Sequence, residues 1–453
     1  MSLATTPLNL KVNIGYKQIL QIALPISASI VVPQINFITN NIFLGGLSTQ
    51  ALAVAGITGV YYLVFAVICM GLNNGLQALI ARRAGENKLD DIASLFTQGV
   101  FIALALSVFG MFFTWLVAPS ILGWAMKDAG NVKMAVSFLN IRVFGLPFLY
   151  LYQLRNALLV GTNQSKFLVI GTAIEAFTNI LLDYGFIYGK LGLPQLGFNG
   201  AAYASIIAEM AGLVSIYFVV RNNLVIKQLQ LFKNMVFNKK NTLLILNQSA
   251  PLALQFAISI ISWEFFYILI EHHGSKDLAI SNIMRNIFGF FGCFTWAFAA
   301  TTTTMVSNII GQGLENRVME LLHKIIHLSV GFAASVCIFL NFFPTLFLSI
   351  YGQGDDFIQS AIPVLRVVST ALVFMSVSVV WLNAVVGTGN TKMNLLIETI
   401  AIILYCTYVY LVLEVFNLPL IYGWGSEWLY WTSLFIPAYW YMKSGRWLKK
   451  VVG

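Results

Sequence analysis

Five carboxylates fall inside strongly apolar stretches of the chain: Glu175, Asp183, Glu209, Glu264 and Glu398. A charge in hydrocarbon costs about 2.5–3.5 kcal/mol on insertion scales, so such residues mark ion or substrate pathways by default. One of them belongs to a constellation. Asn179 and Asp183 are four residues apart and therefore share one face of a helix. The flanking apolar segments supply Asn156 and Ser205. Carboxylate, amide and hydroxyl oxygens are the ligands a hard cation such as Na⁺ takes. A lone carboxylate among them can instead hold a proton, because low dielectric favours the neutral form. The competing reading of Asp183 is a hydrogen bond that packs two helices.

Other polar residues suit a cavity wall. Gln34 and Asn36 follow Pro33, a candidate kink, and Gln255 and the run Thr301–Thr304 lie in later apolar segments. Each either lines a central cavity or makes an interhelical contact. Four consecutive hydroxyls cannot all face one cavity, so some must bond back to helix carbonyls. Covalent and metal chemistry are poorly provided for. His323 and His327 share a helical face without a third ligand, and Cys69, Cys293, Cys337 and Cys406 are scattered without a CxxC. The chain is expected to be no enzyme, to hold no metal and to need no cofactor.

The elements that position these residues must be membrane spans. Only 9% of the chain is charged and its mean hydropathy is +0.81, too little charge to solvate a globular surface. Twelve apolar runs are long enough to cross a bilayer: roughly 17–44, 52–81, 93–117, 131–160, 167–189, 199–220, 243–271, 278–310, 322–347, 358–386, 393–416 and 419–442. Basic residues test this count. With twelve spans, 18 of the 26 Lys and Arg fall on the side shared by both termini, and four on the other. By the positive-inside rule the termini are cytoplasmic. The net charge of +9 is then a topology signal that calls for no nucleic-acid partner. No removable signal peptide is expected from the polar stretch MSLATTPLNLKVN.

The sequence also repeats. Laying Pro25 over Pro251 brings ALPISA onto SAPLAL, and the same register brings NALLVGTNQSK (156–166) onto NAVVGTGNTK (383–392). The expected fold is an all-α polytopic membrane protein of twelve transmembrane helices. They form two six-helix bundles related by a pseudo-twofold axis along the membrane normal. The expected domains are an N-lobe (1–220), a cytoplasmic linker helix (221–242), basic with interleaved apolar residues, and a C-lobe (243–453).

The stretch NILLDYGFIYGKLGLPQLGFNGAAYAS (179–205) resembles the span five-to-six signature of the MATE multidrug and toxin extruders. ITNNIFLGGLSTQALA (38–53), IRVFGLPF (141–148) and GTNQSK (161–166) are similar to further family patterns, so the resemblance covers the whole chain. It implies an N-lobe cation site on Asn156, Asn179, Asp183 and Ser205. Where many relatives carry an acid near the end of span one, this chain has Asn40. It also implies a second cation or substrate site in span seven, on Glu264, with Ser259 at the alternative family position. Glu175, Glu209 and Glu398 match no motif and are expected to pair with Asn, Ser or Tyr on neighbouring helices.

The expected function is a secondary antiporter in the inner (plasma) membrane. It would export amphiphilic or organic-cation small molecules by alternating access, as a monomer, in exchange for H⁺ or Na⁺. One alternative is a flippase of the same superfamily for lipid-linked sugars, which requires a strongly cationic cavity. An intramembrane enzyme is the other.

Overall fold

The computed structural model describes residues 10–449 apart from 232, 234 and 353; Lys450 of the basic C-terminus and two residues of the expected linker lie outside the described residues. Among the described residues every regular element is helical. The first half comprises α1 (Tyr16–Leu47), α2 (Thr49–Gly85), α3 (Leu89–Ala125), α4 (Ala129–Arg142), α5 (Leu146–Gly161), α6 (Leu168–Tyr188) and α7 (Phe198–Val220). The short α8 (Leu224–Leu229) follows. The second half comprises α9 (Lys239–His272), α10 (Ser275–Gly311), α11 (Val318–Phe342), the short α12 (Pro344–Ser349), α13 (Asp355–Gly387), α14 (Thr391–Val409), α15 (Leu420–Trp424) and α16 (Ser426–Lys443).

Eleven helical segments are long and apolar enough to cross a membrane. The twelfth expected span, 419–442, corresponds to α15 and α16. Its Trp and Tyr residues, with Glu427 and Lys443, hold α16 below the apolarity of the others. Sequence sets the helix starts locally. Ser48, Asp128, Asn223 and Asn390 each accept a backbone N–H of the first turn of α2, α4, α8 and α14.

The fourth expected span is present as one segment, Ala129–Gly161, broken into α4 and α5 by a 3₁₀ turn at Val143–Gly145. Pro147 has no N–H to give the carbonyl of Val143, so the α-helical ladder breaks there. The linker helix expected over 221–242 is corrected: among the described residues its helical parts are Leu224–Leu229 and, from Lys239, the start of α9. Past Leu229 the chain turns at Gln230, whose φ is +45°, and the described residues between there and α9 form no regular element.

The helices form two compact units. The first is built on Ala28–Ala253, the second on Lys11–Ser27 together with the chain from Leu254 onward. Helices α1 and α9 therefore each change unit part-way along, after Ser27 and after Ala253. Each change falls two residues past the proline of the sequence repeat, Pro25 in α1 and Pro251 in α9.

In the first unit, α6 and α7 pack most closely. The buried face of α7 is Gly200, Ala201, Ala204, Ala208 and Gly212. A Cβ at Gly200 would come within 2.7 Å of the Phe186 backbone, so this helix pair tolerates only hydrogen there. The small residues of GFNGAAYAS are thus a packing requirement. In the second unit, the core is α13 against α10, α11 and α16, with Trp381, Met375 and Val368 buried along α13.

Candidate functional site: two buried carboxylate clusters

In the first unit, α6 carries Asn179 and Asp183 one turn apart, both buried. Asp183 is 0% exposed, and neither of its carboxylate oxygens has a hydrogen-bond partner. Asn179 Nδ2 donates to Ser205 Oγ on α7 at 3.5 Å. Helix α1 brings a second set of oxygens. Asn36, Asn40 and Phe43 follow i, i+4, i+7 spacing, and Phe43 packs against Tyr184 and Tyr188 of α6 at ring distances of 6.2 and 6.1 Å. Tyr188 Oη also donates to the Phe43 carbonyl at 2.7 Å. That contact turns the Asn36–Asn40 side of α1 toward α6. The side-chain oxygens of Asn36 and Asn40 are likewise buried without a partner. Asp183 on α6, and Asn36 and Asn40 on α1, each present oxygen lone pairs that no protein hydrogen fills, which suits a proton or a small cation.

Asn156 is placed differently. Its oxygen accepts from Arg155 Nη2 at 2.6 Å and its amide donates to Gln153 at 3.4 Å. It thus serves a guanidinium that also lies over the Tyr152 ring, 3.9 Å from the centroid. Gln34, a cavity candidate, is exposed.

Of the other in-span acids of this unit, Glu175 has one oxygen, Oε2, buried without a hydrogen-bond partner, whereas Glu209 is engaged. Glu209 on α7 takes Arg142 in a two-bonded pair, with Nη2 2.5 Å and Nη1 3.1 Å from the carboxylate oxygens. Arg142 lies over the Tyr62 ring at 4.1 Å. A Cβ at Gly145 would overlap Arg142 Nη1 and sit 2.8 Å from Glu209 Oε2, so the 3₁₀ turn needs glycine where the pair crosses it.

In the second unit, the buried carboxylate is Glu398 on α14, 2% exposed. Ser259 Oγ on α9 donates to it at 2.7 Å and Gln255 Nε2 at 3.3 Å, and Tyr430 Oη on α16 donates to the same oxygen as Ser259. Gln255 Oε1 accepts from Asn394 Nδ2 at 2.5 Å. Gln255 is therefore bonded to protein at both ends of its amide, the interhelical contact that stood beside a cavity wall among its expected places. Glu264 stands apart from this cluster. Its side chain is 49% exposed and faces Arg285 of α10 at 3.8 Å, where the guanidinium lies over Trp263 and Tyr267. Of the threonine run, Thr301, Thr302 and Thr304 bond to carbonyls one turn back, and Thr303 reaches Asn383. His327 meets Tyr16 at 3.3 Å and His323 stands edge-on to Trp381.

Glu427 on α16 was missed by sequence reasoning. It is 4% exposed and accepts from Trp431 Nε1 at 3.0 Å. The signal was available: an acid well inside the last apolar run.

A two-repeat helical membrane chain with a buried, unpartnered carboxylate in its first repeat has the build of a secondary transporter. The comparisons agree. The MatE family model matches residues 25–185 and 251–411, two stretches in the register that lays Pro25 over Pro251, and the chain belongs to the MatE family. It is 24% identical to a probable multidrug resistance protein NorM of Thermotoga maritima over 388 residues, 85% of this chain and 83% of the relative. It is also 24% identical to the multidrug resistance protein NorM of Vibrio vulnificus over 278 residues, 60% of each chain. Among solved structures it is similar to an outward-facing multidrug resistance MATE family transporter of the MOP superfamily, with TM-score 0.88 and 17% identity, covering 98% of both chains. A MOP superfamily transporter from Pyrococcus furiosus matches with TM-score 0.87 and 17% identity, covering 99% of this chain and all of the other.

Proposed function

We propose that this protein is a cation-coupled exporter of small amphiphilic or organic-cation molecules, working by alternating access. The observation that carries the reading is Asp183, fully buried with both oxygens unpartnered and with Asn179 one turn away. An ionised carboxylate is expensive in such a place unless something neutralises it. A proton or Na⁺ would do so, and the coupling ion is one of these two. Binding drives a switch only if the cation and the exported molecule prefer opposite states of the transporter. Family membership and the NorM relatives support a small-molecule substrate and a transporter's role. The charge bias supports an inner (plasma) membrane location with both termini cytoplasmic, and the protein is expected to act as a monomer.

The flippase alternative needs a strongly cationic cavity, and three of the four in-span arginines are committed elsewhere, with Arg366 exposed on α13. Arg142 is paired with Glu209, Arg155 is held by Asn156 and Tyr152, and Arg285 faces Glu264. The test is efflux of a fluorescent organic cation from proteoliposomes under an imposed pH or Na⁺ gradient, comparing wild type with Asp183→Asn. One gradient is expected to drive wild-type transport and neither to drive the variant. Gradient-driven efflux by Asp183→Asn would overturn the role of Asp183, and no response of wild type to either gradient would overturn the exporter reading.

A further inference from the structure

We infer that Glu398 is a second proton-binding site, and that its proton decides where the Ser259 hydroxyl hydrogen goes, onto Glu398 or onto the backbone of α9. This goes beyond the exporter reading and does not depend on Asp183.

The argument is a count of hydrogens. Ser259 Oγ lies within bonding distance of two acceptors, Glu398 Oε1 at 2.7 Å and its own-helix Gln255 carbonyl at 2.8 Å. One hydroxyl hydrogen serves only one of them. When Glu398 is ionised, the hydrogen goes to the carboxylate. When a proton binds, a new O–H forms on Glu398 and becomes a donor. Ser259 then accepts from it and turns its own hydrogen onto the Gln255 carbonyl. No atom is lost from Ser259; one proton is taken from water.

The cluster is built for a proton and poorly built for a metal cation. Ser259, Gln255 and Tyr430 point hydrogens at the Glu398 oxygens, and Gln255 Oε1 already accepts from Asn394. Asn394 Oδ1 and, farther along α14, Tyr405 Oη are left buried and unpartnered. The neighbours carry no balancing positive charge. Helix α9 offers Gln255 and Ser259, α14 offers Asn394 and, two turns on, Tyr405, and α16 offers Tyr430 and, beyond it, Glu427. On α13 the ionisable residues Asp355, Asp356 and Arg366 are exposed. Among the described residues no Lys, Arg or His lies within salt-bridge distance of Glu398.

The consequence falls on a weak stretch of helix. Pro251 has no N–H to give the Asn247 carbonyl, and Ser262 bonds back to the Ser259 carbonyl at 2.8 Å. Serine back-bonds of this kind bend helices. The switch therefore acts on α9 one turn past Leu254, where this helix changes unit. The first repeat has no such device, because the residue that the repeat lays over Glu398 is Thr172.

The experiment uses full-length protein in lipid. Infrared titration follows the carboxylic-acid carbonyl band, and spin-label distances between Leu246→Cys and Ile261→Cys follow the bend of α9 across pH. In an Asp183→Asn background the band that remains is expected to lose a titrating component when Glu398→Gln is added. Ser259→Ala is expected to keep that component, to move its midpoint by about tenfold in proton concentration, and to abolish the pH-dependent change in the α9 distance. Tyr430→Phe, which removes one donor from Glu398 but leaves Ser259 in place, is expected to keep the distance change with its pH midpoint moved, and serves as the check should Glu398→Gln fold poorly. An infrared titration indifferent to Glu398→Gln would overturn the site. A distance change that survives in Ser259→Ala, or is lost in Tyr430→Phe, would overturn the switch.

Discussion

Gln98 on α3 and Lys324 on α11 stand at equivalent positions of the two repeats, and each holds the backbone leading into the first helix of the other repeat. Lys324 Nζ donates to the Ile14 carbonyl at 3.0 Å, just before α1. Gln98 Nε2 donates to the Val236 carbonyl at 2.9 Å and its Oε1 accepts from Asn238 N at 3.1 Å, just before α9. Around Lys324 the grip is reinforced, since Val12 N donates to Asn308 Oδ1 and Gln312 Nε2 donates to the Val12 carbonyl, both at 3.1 Å. The exchange of α1 and α9 between units is thus anchored at its start by polar side chains in both halves.

Losing these anchors should free the leaders without unfolding the bundles. A hydrogen bond from a charged donor contributes about 1.5–3 kcal/mol, so Lys324→Met should raise the open population of the 10–15 segment about tenfold or more. The measurement is the labelling rate of Val12→Cys, a position only 2% exposed, by a membrane-impermeant maleimide. Gln98→Leu should do the same for the 235–238 segment, read by limited proteolysis. Unchanged rates in both variants would mean that the Val12 hydrogen bonds to Asn308 and Gln312, with the burial of Leu10 and Val12, hold the first leader without Lys324.

The Arg142–Glu209 pair should matter for stability more than for transport chemistry. Removing one member of a buried pair leaves the other unpaired and costs about 3–5 kcal/mol, while replacing both with apolar groups is often near neutral. Glu209→Gln should lower the melting temperature in detergent clearly, and Arg142→Met with Glu209→Leu should recover most of the loss. Gly145→Ala should resemble Glu209→Gln, since its methyl would displace the guanidinium. A double variant as unstable as Glu209→Gln would show that the pair is not the cause.

Legibility in the sequence followed sequence distance. Asn179, Asp183 and Ser205 lie within one hairpin of helices, so helical spacing and the next span sufficed to group them. The Glu398 cluster draws Ser259 from 139 residues away and Gln255 from 143, and no spacing rule reaches that far. The repeat gave no help either, because Thr172 stands where an equivalent acid would have been. Arg142 and Glu209 were each legible as expensive charges, but their pairing across 67 residues was not. The break at Val143–Gly145 was written in Pro147 and was overlooked because apolarity continues straight through it. The exchange points of α1 and α9, by contrast, follow the repeat itself.

The topology can be checked directly. Cysteines placed in 82–92, 221–242 and 443–453 should label only from the cytoplasmic side of oriented vesicles, because these segments carry most of the Lys and Arg of the inner side. External labelling of the 221–242 segment would invert or break the twelve-span arrangement.

The last prediction concerns the charge of the first-unit site. Asn40 lies on the face of α1 that Phe43 turns toward α6, and its oxygen is buried without a partner, as are both oxygens of Asp183. Asp183 forms no hydrogen bond to Asn40, so a bound proton or cation between them would meet one negative charge and one amide dipole. The wild-type site is expected to take one monovalent cation per cycle. Asn40→Asp would place two carboxylates in one water-poor space, where both cannot remain ionised cheaply. The variant should then bind one more cation per cycle, and its efflux should depend more steeply on the driving gradient. Asn40→Ala should keep the wild-type slope while binding its cation more weakly, since only an oxygen ligand is lost. Efflux from everted vesicles, measured against proton and Na⁺ concentration for the three proteins, reads both quantities. If Asn40→Asp and wild type give superimposable profiles, position 40 does not sense the cation at Asp183. The same assay on Glu264→Gln and Glu398→Gln then decides whether any second carboxylate adds to the count. Glu398→Gln is expected to reduce the slope, and Glu264→Gln, half-exposed beside Arg285, to leave it unchanged.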